Sequence, residues 1–475
     1  MKSFNKKVLA SAVMATMAGA AHAVYVDNNG LGQALIYPYF TVQNGHNTYV
    51  SVVNTTSSVK VVKVRFREGK NSREVLDFNL YLSPNDVWTG AVVPSTATTG
   101  ARLITGDSSC TNPAIPAAGV DFRNYLYSGT NTDNAGSGLD RTKEGYLEMI
   151  EMGVLNPLAA PGSAAVHSST TGVPTCTGLR GVTVANVAAA IGAPSGGLMG
   201  TGTLINVTNG QDSGYNATAL SNLTSAAIYA DIGNDAPNLS GADPVSLVIS
   251  GNRAYSSTFA LGRDAVSSVV MHSTVLNEYV LDTPTNSNTD WVLTFPTKQF
   301  YVGASAVRPF TNAFTSSGAC EAISFTFYDR EERSVTPSDV DFSPLPPGAA
   351  GSSLCWESTV LSIRNGVAHT TASGTASGVL GSANSTSVSV NSGFQNGWAT
   401  LSFTGANSVL GIGAASGVTT NLATSATSQV APTFVGLPVV GFMVRTFNNG
   451  TLGNFQANYG SAFEHKYRQS ITPTP

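Results

Sequence analysis

Charge is what this chain most lacks. Asp, Glu, Lys and Arg amount to 11% of its 475 residues, where an ordinary soluble protein carries about 25%. From Asn365 to Val444 not one of the four occurs. Helical surfaces advertise themselves with charges, whereas strands and turns can be solvated by hydroxyls and amides, so this stretch reads as β structure or ordered loop. Long apolar runs are lacking as well. Beyond the N-terminal segment nothing has the length and apolarity of a membrane-spanning helix, so no integral span is expected. Motifs are absent too: there is no His-Glu-x-x-His helix, no Gly-x-Ser-x-Gly, no Walker loop and no strand-linked Gly-x-Gly-x-x-Gly, which removes the usual signatures of hydrolase, nucleotide and hydride chemistry. No cofactor is expected.

What is present begins with an export signal. Lys2, Lys6 and Lys7 precede the apolar run Val8 to Ala21, and Ala21-His22-Ala23 offers small residues where a signal peptidase needs them. Residues 1–23 are therefore expected to be a signal peptide cleaved before Val24. Of 24 basic residues the signal takes three, leaving 21 against 28 acidic ones and a net charge of −7. General attraction to nucleic acid is not expected of such a chain. The expected location is the cell surface or the extracellular medium, with the periplasm as the alternative.

The four cysteines, Cys110, Cys176, Cys320 and Cys355, are an even number in an exported chain and are expected as disulfides. Pairing in sequence order keeps each bridge within one half. Their spacing does not suit metal binding.

Strand signals are clearest between Gln33 and Val93. Val62, Val64 and Phe66 alternate with Lys63, Arg65 and Arg67, the period of a sheet with one wet side, and Leu76, Phe78, Leu80 and Leu82 alternate with Asp77, Asn79 and Tyr81. Residues 208–264 are dense in turn formers and read as loops or a linker. After them come Asp290 to Phe295, Ile323 to Tyr328 and Phe434 to Phe447. The expectation is a mainly β protein of two sandwich domains, 24–207 and 265–475, with long loop insertions. A β-barrel of the outer membrane is the rival architecture, but it needs alternating segments of about ten residues throughout.

Candidate chemistry is sparse. Glu144, Glu148 and Glu151 would share a face only on a helix, and a solvated face is the expected role. Asn131 to Gly136 and Asp231 to Asp235 carry the oxygen ligands of weak calcium-loop candidates, and they read as turn formers. Lys60, Lys63, Arg65, Arg67, Lys70 and Arg73 form a basic cluster that could grip an anionic polysaccharide, although a charged outward strand face that resists edge-to-edge pairing is the simpler account.

At Gly32 to Phe40, Val50 to Pro84 and Asn277 to Val302 the sequence resembles an uncharacterised family of exported Gram-negative cell-surface proteins. Asn54-Thr55, Arg73-Glu74-Val75-Leu76-Asp77-Phe78, Thr289-Asp290-Trp291 and Phe295-Pro296-Thr297-Lys298 carry the likeness. The first-half strands also resemble immunoglobulin-like envelope domains. The resemblance implies envelope placement and assigns no functional residues.

The function expected is that of a non-enzymatic surface or assembly protein, associating with itself or with another envelope component. Its contact surface is expected in the charge-free stretch, with Thr400, Ser402 and Thr404 pointing outward. A secreted hydrolase acting on polysaccharide or ester, using Glu148 or His272, is the alternative.

Overall fold

The computed structural model describes residues 22–181, 187, 189–335, 352–365, 376–390, 393–403, 409–411, 416–429 and 431–474. The expected signal peptide lies almost wholly outside them. Val24, the expected first mature residue, is buried, and its N–H donates to Val245 O.

The fold is mainly β, in several antiparallel sheets, and none closes into a barrel. No helix among the described residues is long and apolar enough to cross a membrane. Sheet 1 has seven strands in the order Tyr25–Val26, Thr218–Ser221, Ala34–Thr41, Glu144–Leu155, Val59–Glu68, Glu74–Leu82 and Cys110–Asn112. Sheet 2 has six, Gln211–Asn216, Leu198–Asn206, His46–Asn54, Val87–Pro94, Ala101–Ile104 and Val120–Asp121. Leu35, Tyr37, Val62, Val64 and Phe66 of sheet 1 meet Val50, Val52, Trp88 and Leu204 of sheet 2 in one core.

In the second half, sheet 3 runs Ser385–Val390, Ser358–Asn365, Asn288–Thr294, Val440–Leu452 and Phe455–Glu464. Sheet 4 is built on Glu321–Asp329, Asn396–Phe403 and Thr274–Val280. Trp291, Leu293, Leu361 and Met443 pack between these two sheets with Val275, Phe325 and Leu401.

Successive side chains of a strand point to opposite faces, and sheet 3 buries both. Val292, Val360, Phe442 and Val444, the alternates of the residues just named, belong to the core of the first half. Phe442 stacks on Tyr215 with ring centroids 4.5 Å apart. The halves therefore share a hydrophobic core instead of hanging on a linker.

Residues 208–264, read from their turn formers as loops, contain the strands Gln211–Asn216, Thr218–Ser221, Val245–Ser250 and Arg253–Thr258. The first two complete sheets 2 and 1. The remainder of the segment, from Thr224 to Asp243, lies over sheet 1. Turn density marks where a chain reverses, and short strands between reversals escape a composition reading.

Candidate functional site

The outward face expected of Val59–Glu68 is not wet. Lys63, Arg65 and Arg67 do alternate with the core residues, but they are 0%, 1% and 3% exposed. The turn-rich segment roofs them. Lys63 Nζ donates to Asp231 O at 3.0 Å, while Arg65 reaches Pro237 O at 2.9 Å and the carbonyls of Asn234 and Asp235 at 3.1 Å. Neighbouring strands supply the carboxylates. Asp77 lies 2.7 Å from Lys63 Nζ, Glu74 2.7 Å from Arg65 Nε and Glu148 2.9 Å from Arg67 Nε.

Burying a charge is tolerable only when it is paired and hydrogen-bonded, and here each cation has both kinds of partner. This corrects two expectations. Four of the six basic residues, Lys60, Lys63, Arg65 and Arg67, are closed to a polysaccharide. Lys70 sits over the Trp356 ring and donates to Ala135 O, which leaves Arg73 exposed at the surface.

The three glutamates are not a solvated face either. They lie on a strand and all are buried. Glu144 accepts from the Tyr39 hydroxyl at 2.7 Å and from Ala383 N at 2.9 Å, tying the first half to the second. Burial raises its carboxyl, opposed by hydrogen bonds from Ser382 and Tyr39. Glu148 joins Arg67. Glu151 accepts from Lys60 Nζ at 2.7 Å and from the N–H groups of Ser195 at 3.0 Å and Gly196 at 2.7 Å. Buried in this way, Glu144, Glu148 and Glu151 do not offer the open pair of carboxylates that glycoside hydrolysis needs.

The loops weighed for calcium serve the protein's own cations. Burial acts to raise the Asp133 carboxyl, but hydrogen bonds from Arg141 and Asn71 outweigh it and hold it at about 2. Among the described residues no group of three His, Cys, Asp or Glu side chains could hold a metal ion. The disulfides pair in sequence order, Cys110 with Cys176 and Cys320 with Cys355, as an oxidising compartment allows.

His272 stacks on Tyr467 at 4.0 Å, and burial lowers its pKa to about 3. Glu148 is held in its ion pair with Arg67, so each residue of the hydrolase alternative is engaged by another side chain. A different histidine does have polar company. His167 Nε2 is 3.4 Å from Ser108 Oγ, and its Nδ1 is 3.0 Å from Ser83 Oγ and 3.7 Å from Asp86 Oδ2. Ser108 lines a cavity of about 250 Å³ with Trp88, Asp107, Thr175 and Arg180. Chain distance hides this cluster in the sequence; the Cys110–Cys176 bridge, whose cysteines lie two residues after Ser108 and nine after His167, is the signal that could have revealed it.

Thr400 and Ser402 lie half-buried on the outer face of sheet 4, opposite Thr326 and Ser324, beside the stacked pair Tyr328 and Trp398. Thr404 is outside the described residues. The charge-free stretch does more than offer a surface, because Val388, Phe394, Ala399, Leu401 and Phe403 are core. Sheet 2 carries a second neutral surface, which composition alone does not mark. Adjacent strands His46–Asn54, Val87–Pro94 and Leu198–Asn206 contain no charged residue on either face. Their outer side carries Tyr49, Val53, Val87, Ala91 and Met199, with Val87 47% and Met199 43% exposed.

Compared with known proteins, the chain matches no family model, no curated protein and no solved structure.

Proposed function

We propose that the protein is an exported structural component of a Gram-negative cell surface, that each half is an immunoglobulin-like sandwich, and that copies associate through uncharged sheet faces. The observation that carries this reading is the outer face of sheet 2. A solvent-facing sheet normally carries charges that keep it from associating, and here three neighbouring strands have none, while Asp212 and the Arg102–Asp121 ion pair sit towards the margins. Met199 opposes Val53, which opposes Val87, giving an apolar row across all three strands. The hydroxyl-rich outer face of sheet 4 differs from it in chemistry. Two unlike faces on one molecule suit head-to-tail contacts between copies, which extend into rings or filaments.

The test is light scattering across a concentration series on the parent, on Val87→Lys with Met199→Lys, and on Thr400→Lys with Ser402→Lys. The parent is expected to grow in mass with concentration, and the first pair to remain monomeric with its unfolding temperature unchanged. A parent that stays monomeric throughout refutes self-association. Loss of assembly in the Thr400 and Ser402 variant alone moves the contact to sheet 4.

The Ser108–His167–Asp86 cluster supports a second reading, hydrolysis of an ester with Ser108 as nucleophile and His167 as base. Ser83 lies closer to Nδ1 than Asp86 does, which weakens the resemblance to a hydrolase triad and supports the structural component as the first reading. A fluorophosphonate probe that labels the parent but neither Ser108→Ala nor His167→Ala would reverse that order; no labelling of the parent removes the second reading.

A further inference from the structure

Among the buried cations Lys63 is set apart by what surrounds it. Its Nζ lies 3.4 Å from Asn79 Oδ1 and 2.7 Å from Asp77 Oδ2. Lys63 and Asn79 are directly opposite each other on adjacent antiparallel strands. Asp77 is two residues before Asn79 and so on the same face. Lys63 and Asn79 are wholly buried, and the Asp77 side chain is 11% exposed. Lys60, by comparison, meets a carboxylate and a serine hydroxyl, with no carboxamide among those partners.

An amine, a carboxyl and a carboxamide are thus held together out of water. We propose that Lys63 and Asn79 are joined by an intramolecular isopeptide bond, formed after folding with Asp77 as the proton carrier. A proton passing from Lys63 to Asp77 across their 2.7 Å contact frees the amine and removes two buried charges at once. The freed amine, 3.4 Å from Asn79 Oδ1, has its lone pair beside the carboxamide whose Cγ it attacks, and holding the two groups together in the fold supplies the proximity that the step needs. Nζ adds to Cγ while the Asp77 carboxylic acid donates to the amide, a new C–N bond forms, and the original Cγ–Nδ2 bond breaks.

The protons balance. Lys63 begins as an ammonium and ends as a secondary amide N–H, Asn79 loses its nitrogen as ammonia, and Asp77 ends protonated until ammonia carries that proton away as ammonium. No oxidant or cofactor takes part. Asn79 Nδ2 donates to Ala230 O at 3.0 Å with the Tyr229 hydroxyl 3.5 Å away, so the departing nitrogen sits among polar groups able to take it over. The product is a covalent staple across the middle of the strand pair Val59–Glu68 and Glu74–Leu82, fixing their register.

The experiment is the intact mass of the full secreted chain, followed by peptide mapping after reduction. The parent is expected to be lighter than its sequence by one ammonia, and digestion is expected to yield a branched peptide linking Lys63 to Asn79. Lys63→Arg, Asn79→Ala and Asp77→Asn are each expected to restore the full mass. A parent at full mass, with Lys63 free to react with an amine reagent after denaturation, overturns the proposal. That measurement needs no variant, so a variant that fails to fold leaves the proposal decidable. A deficit of one ammonia that persists in Lys63→Arg, or that maps to a succinimide elsewhere, also overturns it.

Discussion

Glu151→Gln asks whether the buried ion pairs hold this fold together or are merely carried by it. Lys60 and Glu151 are each 0% exposed, with Nζ 2.7 Å from Oε1, and Lys60 otherwise has Ser195 Oγ at 2.6 Å. The glutamate also takes the N–H groups of Ser195 and Gly196, so both oxygens face donors only. Glutamine keeps the shape, but its NH2 must then face a donor, and the Lys60 ammonium loses its counter-charge. Breaking a buried pair by removing one partner costs about 3–5 kcal/mol, and that is the loss expected for Glu151→Gln. Lys60→Met combined with Glu151→Leu removes both charges and should recover part of it. Recovery cannot be complete, because two backbone N–H groups remain unsatisfied at about 1–3 kcal/mol each. The assay is urea unfolding followed by tryptophan fluorescence, with the two single variants completing a cycle. A Glu151→Gln protein within about 1 kcal/mol of the parent, or a double variant as unstable as the summed singles, refutes the reasoning.

Acid should destabilise the protein early. Burial lowers His272 and His465 to about 3, so both are neutral in the fold but protonate near 6.5 when unfolded. Stability is then fully present above about pH 6.5 and lost as pH falls towards 3, by about 1.4 kcal/mol per pH unit for each histidine. Urea midpoints measured from pH 7 to 4 on the parent and on His465→Gln check this; the variant should lose less stability than the parent as pH falls, and equal losses refute it. Phe442→Ala, which empties a place in the shared core beside Tyr215, should cost about 3–5 kcal/mol and lower one common transition of both halves; two separate transitions, one of them unmoved, count against a shared core. Cys110→Ser with Cys176→Ser opens a link of sequence separation 66 and should cost about 4 kcal/mol on the chain-entropy account, checked by the same denaturation series and refuted by a loss under about 1 kcal/mol.

Periodicity and residue type made the β class, the strands around Val62 and Leu76 and the disulfide order readable from sequence. What they could not reveal is which polar faces are covered. Lys63, Arg65 and Arg67 alternate with Val62, Val64 and Phe66 in the same way whether the polar side meets water or a roof, because period 2 records only that two faces differ. The missed sign was stoichiometric: four cations on one strand, Lys60, Lys63, Arg65 and Arg67, faced four carboxylates, Glu151, Asp77, Glu74 and Glu148, on its two neighbours. In the same way Val292 and Phe442 read as ordinary core residues of a sandwich. That their alternates Trp291 and Met443 are equally apolar marks a strand buried on both sides, and so a shared core. The Ser108–His167 cluster depended on a fold-scale contact that no local pattern encodes.

Charge is distributed here against the usual rule. Lys60, Lys63, Arg65, Arg67, Arg141, Glu68, Glu144, Glu148 and Glu151 are interior, while the central strands of sheet 2 present none outward. A hydrophobic core of similar volume would serve stability as well or better, so the interior pairs are explained by what an apolar layer does poorly, which is to distinguish one register from the next. A one-residue slip of Val59–Glu68 against Glu74–Leu82 would separate Lys63 from Asp77 and Arg65 from Glu74 and turn cations into the core. Such a device matters most for a chain whose outer faces have given up charge, because uncharged strands slip and pair indiscriminately. Interior charge then secures the register, while the central strands of sheet 2 keep an exterior without charge.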